Sequence, residues 1–247
     1  MTDATADGAL AVLRKVEREN HPPMRPRDAA TLILLDRAGP APRVLLGRRH
    51  SRHVFMPGKF VFPGGRVEPY DGRMPVAADL GPEHERRLLM QLRRPTQARA
   101  RALALAAIRE TCEETGLLVG RKTDQAPATP AEPWRAFAEA GVLPDLSALH
   151  FIARAITPPG RSRRFDARFF VADVDAIAHR IEGVVGPDSE LDELVWVPIA
   201  ETKGIDLPPI TQIVLGDLAR RVDSGFDPAA PVPFYRTLQR KVVRQML

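Results

Sequence analysis

Between Thr96 and Gly116 the chain has no proline and is rich in alanine, leucine and arginine. It closes on Arg109-Glu110-Thr111-Cys112-Glu113-Glu114-Thr115-Gly116. Alanine and leucine favour helix and a glycine ends it, so the spacing predicts a helix from about Ala100 to Gly116. At about 100° per residue, Leu105, Ile108, Thr111, Cys112 and Thr115 gather on one side, ready for burial. Glu110, Glu113 and Glu114 fall within an arc of roughly 100° opposite them. Like charges at i, i+3 and i+4 cost an isolated helix a few tenths of a kcal/mol per pair. A solvated acidic face is one reading. The other is a bound cation, because carboxylate oxygens are the hard ligands that Mg²⁺ and Mn²⁺ take.

Upstream lies a tight Phe62-Pro63-Gly64-Gly65 turn. Gly65, a gap of five residues, Asp71, and then Arg109-Glu110-x-x-Glu113-Glu114-x-Gly116-Leu117 resemble a Nudix box. The second half matches at every charged position and at the glycine, with Thr111 in the place of a hydrophobe. The first half matches in register, with Asp71 where the family usually has Glu, and residues 72–108 intervene where about seven residues are usual. The resemblance implies an α/β/α sandwich with a mixed sheet and hydrolysis of a nucleoside diphosphate linked to another moiety. It implies Mg²⁺ or Mn²⁺ as cofactor, held by Glu110, Glu113, Glu114 and the Gly65 carbonyl. Arg109 would pair with a box carboxylate and fix its rotamer, and water would be the nucleophile. A box glutamate, or Glu190 from the loop before a late strand, would take the proton.

A second element narrows the substrate. Leu45-Leu46-Gly47-Arg48-Arg49-His50-Ser51, followed by Phe55-Met56-Pro57-Gly58-Lys59-Phe60-Val61-Phe62-Pro63-Gly64-Gly65, is similar to the element of Nudix enzymes that cut coenzyme A. It looks closer still to the CoA and acyl-CoA diphosphatase branch of the mammalian peroxisomal, androgen-regulated kidney type, whose box also carries an insertion. His50 stands where the CoA-type element has Ser. Arg164-Phe165-Asp166-x-x-Phe169-Phe170 resembles the same branch. The resemblance implies substrate binding by Arg48, Arg49, Phe62, Gly64 and Arg164. The basic group Arg48, Arg49, Arg52 and His53 either embraces phosphates or is the solvated edge of a strand, and the cluster Arg161, Arg163 and Arg164 has the same two readings. An ADP-ribose or NADH pyrophosphatase and a non-catalytic nucleotide-sensing module are the rival functions.

The rest of the chain frames these motifs. Residues 1–25 read as an arm with a short amphipathic helix, ended by His21-Pro22-Pro23. Residues 26–225 read as the hydrolase domain, and 226–247 as a tail ambiguous between helix and strand. Apolar β-formers at Ala29–Leu35 and Val44–Gly47 predict a hairpin, with a third strand near Phe60–Phe62. The insertion, about residues 72–100, should hold one short helix, which is either a wall of the substrate pocket over the carboxylate helix or a surface excursion. A helix is expected over 130–141, strands over 149–156 and 164–172, a strand at 194–198 and a helix from 208 to 222.

Net charge is +5, which could suggest nucleic acid. Yet of 36 basic residues only five are lysine, leaving 36 − 5 = 31 arginines spread along the chain. Arginine forks pair bidentately with phosphate, so a small polyanion explains the bias without extended nucleic acid. The single cysteine, Cys112, excludes an internal disulfide, and no Cys/His cluster suits zinc. There is no apolar run long enough for a membrane span and no basic start of a secretory signal, so a cytoplasmic protein is expected. The family often dimerises, which makes a homodimer the expected assembly.

Overall fold

In the computed structural model, which describes residues 20–50 and 57–247 together with Gly8, Leu10, Ala11 and Leu13, the centre of the fold is strand β1 (Arg27–Asp36). Its run from Ala29 to Leu35 is apolar because both of its faces are covered. Leu32 and Leu34 point into one core, and Ile33 and Leu35 into another, as the alternation of a strand requires. The chain turns back into β2 (Arg43–Arg49) with Leu35 opposite Val44. The short strands β3 (Phe60–Val61) and β4 (Gly64–Arg66) then pair with β2 and β1.

Later strands complete a nine-stranded sheet: β5 (His150–Ile156), β6 (Phe165–Asp173), β7 (Leu191–Pro198), β8 (Pro233–Leu238) and β9 (Lys241–Met246). The order is β7-β2-β1-β6-β5-β8-β9, with β3 and β4 branching from β2 and β1. The pairs β1–β6 and β5–β8 are parallel, so the sheet is mixed. Two small ribbons join Leu117–Val119 to Ile177–Arg180 and Arg121–Lys122 to Val142–Leu143.

After β4, four α-helices follow among the described residues. They are α1 (Pro82–Leu89), α2 (Gln97–Thr115), α3 (Arg135–Glu139) and α4 (Pro209–Asp223). On one face of the sheet α2 packs Leu103, Leu105 and Ile108 into the core that holds Leu32, Leu34 and Phe170. On the other face α4 packs Val214 and Leu218 against Ile33, Leu35 and Leu46. The result is the α/β/α sandwich expected from the order of elements.

The α2 helix starts at Thr96, whose hydroxyl accepts from Arg99 N–H at 3.2 Å, and ends at Gly116, a left-handed residue with φ 73°. Glycine suits that conformation, and a Cβ there would also collide with the Ile181 carbonyl at 2.3 Å. Most of the helix from Leu103 to Thr115 is buried. Its acidic side is graded: Glu113 is exposed, Glu110 half-buried and Glu114 buried.

Two expectations need correction, and one open reading is resolved. The insertion neither lies over the carboxylates nor hangs off the surface. Met74, Leu80 and Leu88 enter the main core, and α1 meets the start of α2, where Gln97 donates to Glu85 at 3.3 Å. Arg87 ties α1 to the carbonyls of Pro228 and Ala229. The tail, undecided in sequence, is the β8–β9 hairpin. Its two turn residues, Gln239 and Arg240, both have positive φ, a turn usually signalled by Asn or Gly and so invisible here. The helix expected over 130–141 is a 3-10 turn, Glu132–Trp134, running into the short α3. The arm's helix lies largely outside the described residues, although Leu13 packs against the second core.

Candidate active site

The site is assembled at the C-terminal half of α2. Strand β4 sits beside β1 with Gly65 opposite Ala30, and this brings the glycine turn against the helix. A Cβ on Gly65 would lie 2.4 Å from the Glu110 carboxyl carbon, so only glycine lets the two approach. The neighbouring Gly64 N–H points to Glu114 Oε2 at 3.3 Å. The two halves of the motif, separated by residues 72–108, meet across the insertion.

Arg109 is the hub. It is 2% exposed and grips Asp71 with both arms, Nε to Oδ1 at 2.7 Å and Nη2 to Oδ2 at 3.1 Å. Its Nη1 donates to Glu110 at 2.9 Å and to Glu113 at 2.8 Å, and its Nη2 reaches the Arg66 carbonyl at 2.8 Å. Burial works against its charge, but the bond to Asp71 and the fields of Glu110, Asp71 and Glu113 raise its pKa. Asp71 is fully buried and also accepts from Glu68 N–H at 2.8 Å. Its place is to hold Arg109.

The carboxylates are under electrostatic load. Burial lifts Glu110 to about 7, against the pull of Arg109, with Glu113 and Glu190 adding to the rise. Glu113 is raised by burial, again opposed by Arg109. Glu114 is raised well above the ordinary range by burial, then by the charges of Glu190 and Glu110. Groups that share a site and resist ionisation together form a natural seat for a divalent cation.

Among the described residues, no three His, Cys, Asp or Glu side chains converge tightly enough to hold a metal as they stand. Arg109 Nη1 bridges Glu110 and Glu113, and Glu114 leans toward Gly64. The donor set has the right chemistry, hard oxygens with raised pKa values, so Glu110, Glu113 and Glu114 fit a hard cation once a carboxylate leaves Arg109.

The flanking residues divide by strand geometry. Strand β7 pairs with β2 so that Leu191 faces Arg49, which delivers Glu190 to Arg49 at 2.5 Å. Glu190 raises both Glu110 and Glu114, while Arg49 lowers Glu114, so the charges of this pair act on the carboxylates. The Arg49 Nε is buried and unpartnered. Arg48, one position along, turns to the other side and pairs with Asp192 at 2.9 Å and Glu193 at 3.1 Å.

Two expected substrate contacts are otherwise engaged. The Phe62 ring is buried in the second core, because the turn that exposes Gly64 and Gly65 drives it inward. Arg164 donates to the carbonyls of Thr157 and Met24 at 3.0 and 2.5 Å, pinning the segment before β1 to the β5–β6 turn. Arg52 and His53 lie outside the described residues. Cys112 is buried on the core side of α2, which pushes its thiol up to about 12 and leaves it without nucleophilic character at neutral pH. Tyr70, which no motif marks, places its ring 5.8 Å from the Arg109 guanidinium.

No family model matches the chain. The fold does match solved structures. A Nudix hydrolase from Alicyclobacillus acidocaldarius is 28% identical over 79% of this chain and 92% of that one, with a TM-score of 0.55. The Nudix domain of Shewanella oneidensis NrtR, solved with ADP-ribose, is 12% identical over 82% of this chain and 94% of its own, at 0.46. A MutT protein from Methanosarcina mazei is 16% identical over 83% and 99%, at 0.43. In its mixed-sheet sandwich the chain is similar to that Nudix hydrolase from Alicyclobacillus acidocaldarius, and its carboxylate helix is pinned to a double-glycine turn.

Proposed function

We propose that the protein cleaves the diphosphate bond of a nucleoside diphosphate linked to another moiety, with CoA or an acyl-CoA as the leading substrate. The products would be 3′,5′-ADP and a phosphopantetheine. The observation that carries this reading is the convergence of Gly64, Gly65 and Arg109 on Glu110, Glu113 and Glu114. The preference for CoA rests on the Leu45-Leu46…Phe62-Pro63-Gly64-Gly65 element, whose Arg49 acts on Glu114 by its charge.

A diphosphate repels an incoming nucleophile, so cleavage needs positive charge at its oxygens. Glu110, Glu113 and Glu114 would hold a divalent cation, Mg²⁺ or Mn²⁺, which when bound would supply that charge. Arg109 fixes the rotamers of Glu110 and Glu113, and Asp71 fixes Arg109. Arg49, held by Glu190, supplies positive charge for the substrate phosphates. Glu190, whose charge acts on Glu110 and Glu114, takes the proton from the attacking water.

The test is a screen of the purified chain with Mg²⁺ or Mn²⁺ against CoA, acyl-CoA, ADP-ribose, NADH and dinucleoside polyphosphates, with product masses recorded. Release of 3′,5′-ADP from CoA supports the reading. Turnover of ADP-ribose or NADH with CoA untouched overturns the substrate, and binding without turnover of any compound overturns the activity.

A further inference from the structure

A second, arginine-walled cleft lies at the other end of α2. Its volume is about 750 Å³, and its walls include Arg27, Asp28, Arg66, Glu68, Arg73 and Arg99. Arg99 stands 110 − 99 = 11 residues before Glu110, about 16 Å along the helix axis. The cleft opens beside the carboxylate group rather than into it: Glu110, Glu113 and Glu114 do not line it, although the carbonyl of its wall residue Arg66 accepts from Arg109.

Its charge is unbalanced. Asp28 is already claimed twice, by Arg99 at 2.6 and 3.0 Å and by Arg168 at 2.8 Å. Beneath it, Asp166 is shared by Arg154 at 2.7 Å and Arg168 at 3.1 Å. Arg66 has only a loose contact with Glu68 at 3.6 Å, and Arg27 and Arg73 make no ion pair among the described residues. Four guanidiniums (Arg27, Arg66, Arg73, Arg99) thus line the cleft with two carboxylates (Asp28, Glu68), and 4 − 2 leaves an excess of two positive charges.

The deepest member sharpens the point. Arg168 is fully buried, and its Nε and Nη2 have no partner. A buried cation left partly unsatisfied is costly, and here it sits under a cleft with cationic walls. Solvated surface arginines would explain Arg27 or Arg73 alone. They do not explain a buried arginine with open donors below two carboxylates that are each shared by two guanidiniums.

We infer that this cleft is a second anion site, taking a phosphate-bearing small molecule of nucleotide size. Arginine forks match phosphate oxygens, and the volume falls in the range of small-molecule pockets. Arg27 and Arg73, both exposed in the cleft, supply the phosphate contacts, while Arg99 and Arg168 hold Asp28.

The experiment is calorimetric titration of the full chain with inorganic phosphate and with ADP in the presence of EDTA. Without divalent cations the carboxylate site repels anions, so binding reports the cleft. Saturable binding that weakens tenfold or more in Arg27→Gln/Arg73→Gln, persists in Arg49→Ala and falls with salt supports the site. Both substituted cleft residues are exposed, so that variant keeps its fold, and circular dichroism checks this. No saturable binding, equal binding by wild type and the double variant, or loss in Arg49→Ala overturns the inference. None of these outcomes depends on turnover, so the proposed activity stands or falls separately.

Discussion

Gly65 touches the Glu110 carboxyl group so closely that a Cβ at residue 65 would stand 2.4 Å from Glu110 Cδ. That distance is below any real carbon contact, and the obstacle is the working end of the side chain. Gly65→Ala should push Glu110 out of the group and away from Arg109. We expect kcat to fall at least 100-fold while Tm changes by a few degrees at most, because the displaced carboxylate is half-buried rather than part of the core. Steady-state kinetics beside a thermal melt checks both halves. Unchanged turnover would separate Gly65 from the site.

The Arg109–Asp71 pair is buried on both sides, with side-chain exposures of 3% and 0%. Removing one partner of a buried pair leaves an uncompensated charge, at a cost of about 3–5 kcal/mol. Asp71→Asn keeps the shape and one acceptor, so the loss should fall at the lower end of that range. The pair also aims Arg109 at Glu110 and Glu113, so turnover should fall with stability. Urea unfolding and kinetics on the same preparation test this. A neutral effect on stability would show that Glu110 and Glu113 suffice to hold Arg109.

Glu114 illustrates a conflict between stability and chemistry. Burial and the charges of Glu190 and Glu110 disfavour its ionised form in the cation-free protein. The isosteric Glu114→Gln removes that charge and keeps an acceptor for Gly64 N–H. In EDTA the variant should melt several degrees higher than wild type. With Mg²⁺ or Mn²⁺ present it should lose turnover by orders of magnitude, and the added cation should raise its Tm less than that of wild type. A variant less stable than wild type in EDTA would contradict the repulsion on which the cation site rests.

The legible parts of this molecule were those set by a local period. The helical repeat places Glu110, Glu113 and Glu114 together, and the continuous apolar run of β1 reports a strand covered on both faces. Adjacent arginines on a strand take opposite faces, but only the pairing of β7 with β2 decides that Arg49 meets Glu190 while Arg48 meets Asp192 and Glu193. Asp71 and Arg109 are 38 positions apart, so no spacing rule assigns one to the other. Phe62 looks like a pocket residue in a glycine-rich turn, yet the same turn sends its ring into the core. The arginine cleft draws on β1, the turn after β4 and the first turn of α2. No local pattern in a chain with 31 scattered arginines could announce it.

The docking of α1 predicts an acid-sensitive joint. His84 is 6% exposed, its ring stands 5.3 Å from that of His150 in a T-shaped contact, and neither Nδ1 has a partner. Burial, then His150, Arg221 and Arg87, holds His84 at about 4, with Glu83 pulling weakly the other way. Burial lowers His150 too. A histidine whose folded pKa lies below its unfolded value of 6.5 binds more protons when unfolded. Its contribution is therefore complete above pH 6.5, is lost as pH falls toward 4, and changes no further below that. Between pH 7.5 and 5 the loss from His84 alone is about 2 kcal/mol. The raised carboxylates Glu110 and Glu114 act in the opposite direction, so the measurement must be a difference. His84→Phe keeps the ring contact and removes the proton, and its unfolding free energy should decline less than that of wild type across that window. Parallel pH profiles for the two proteins would show that His84 stays neutral for free and that the joint between α1 and β5 is not acid-sensitive.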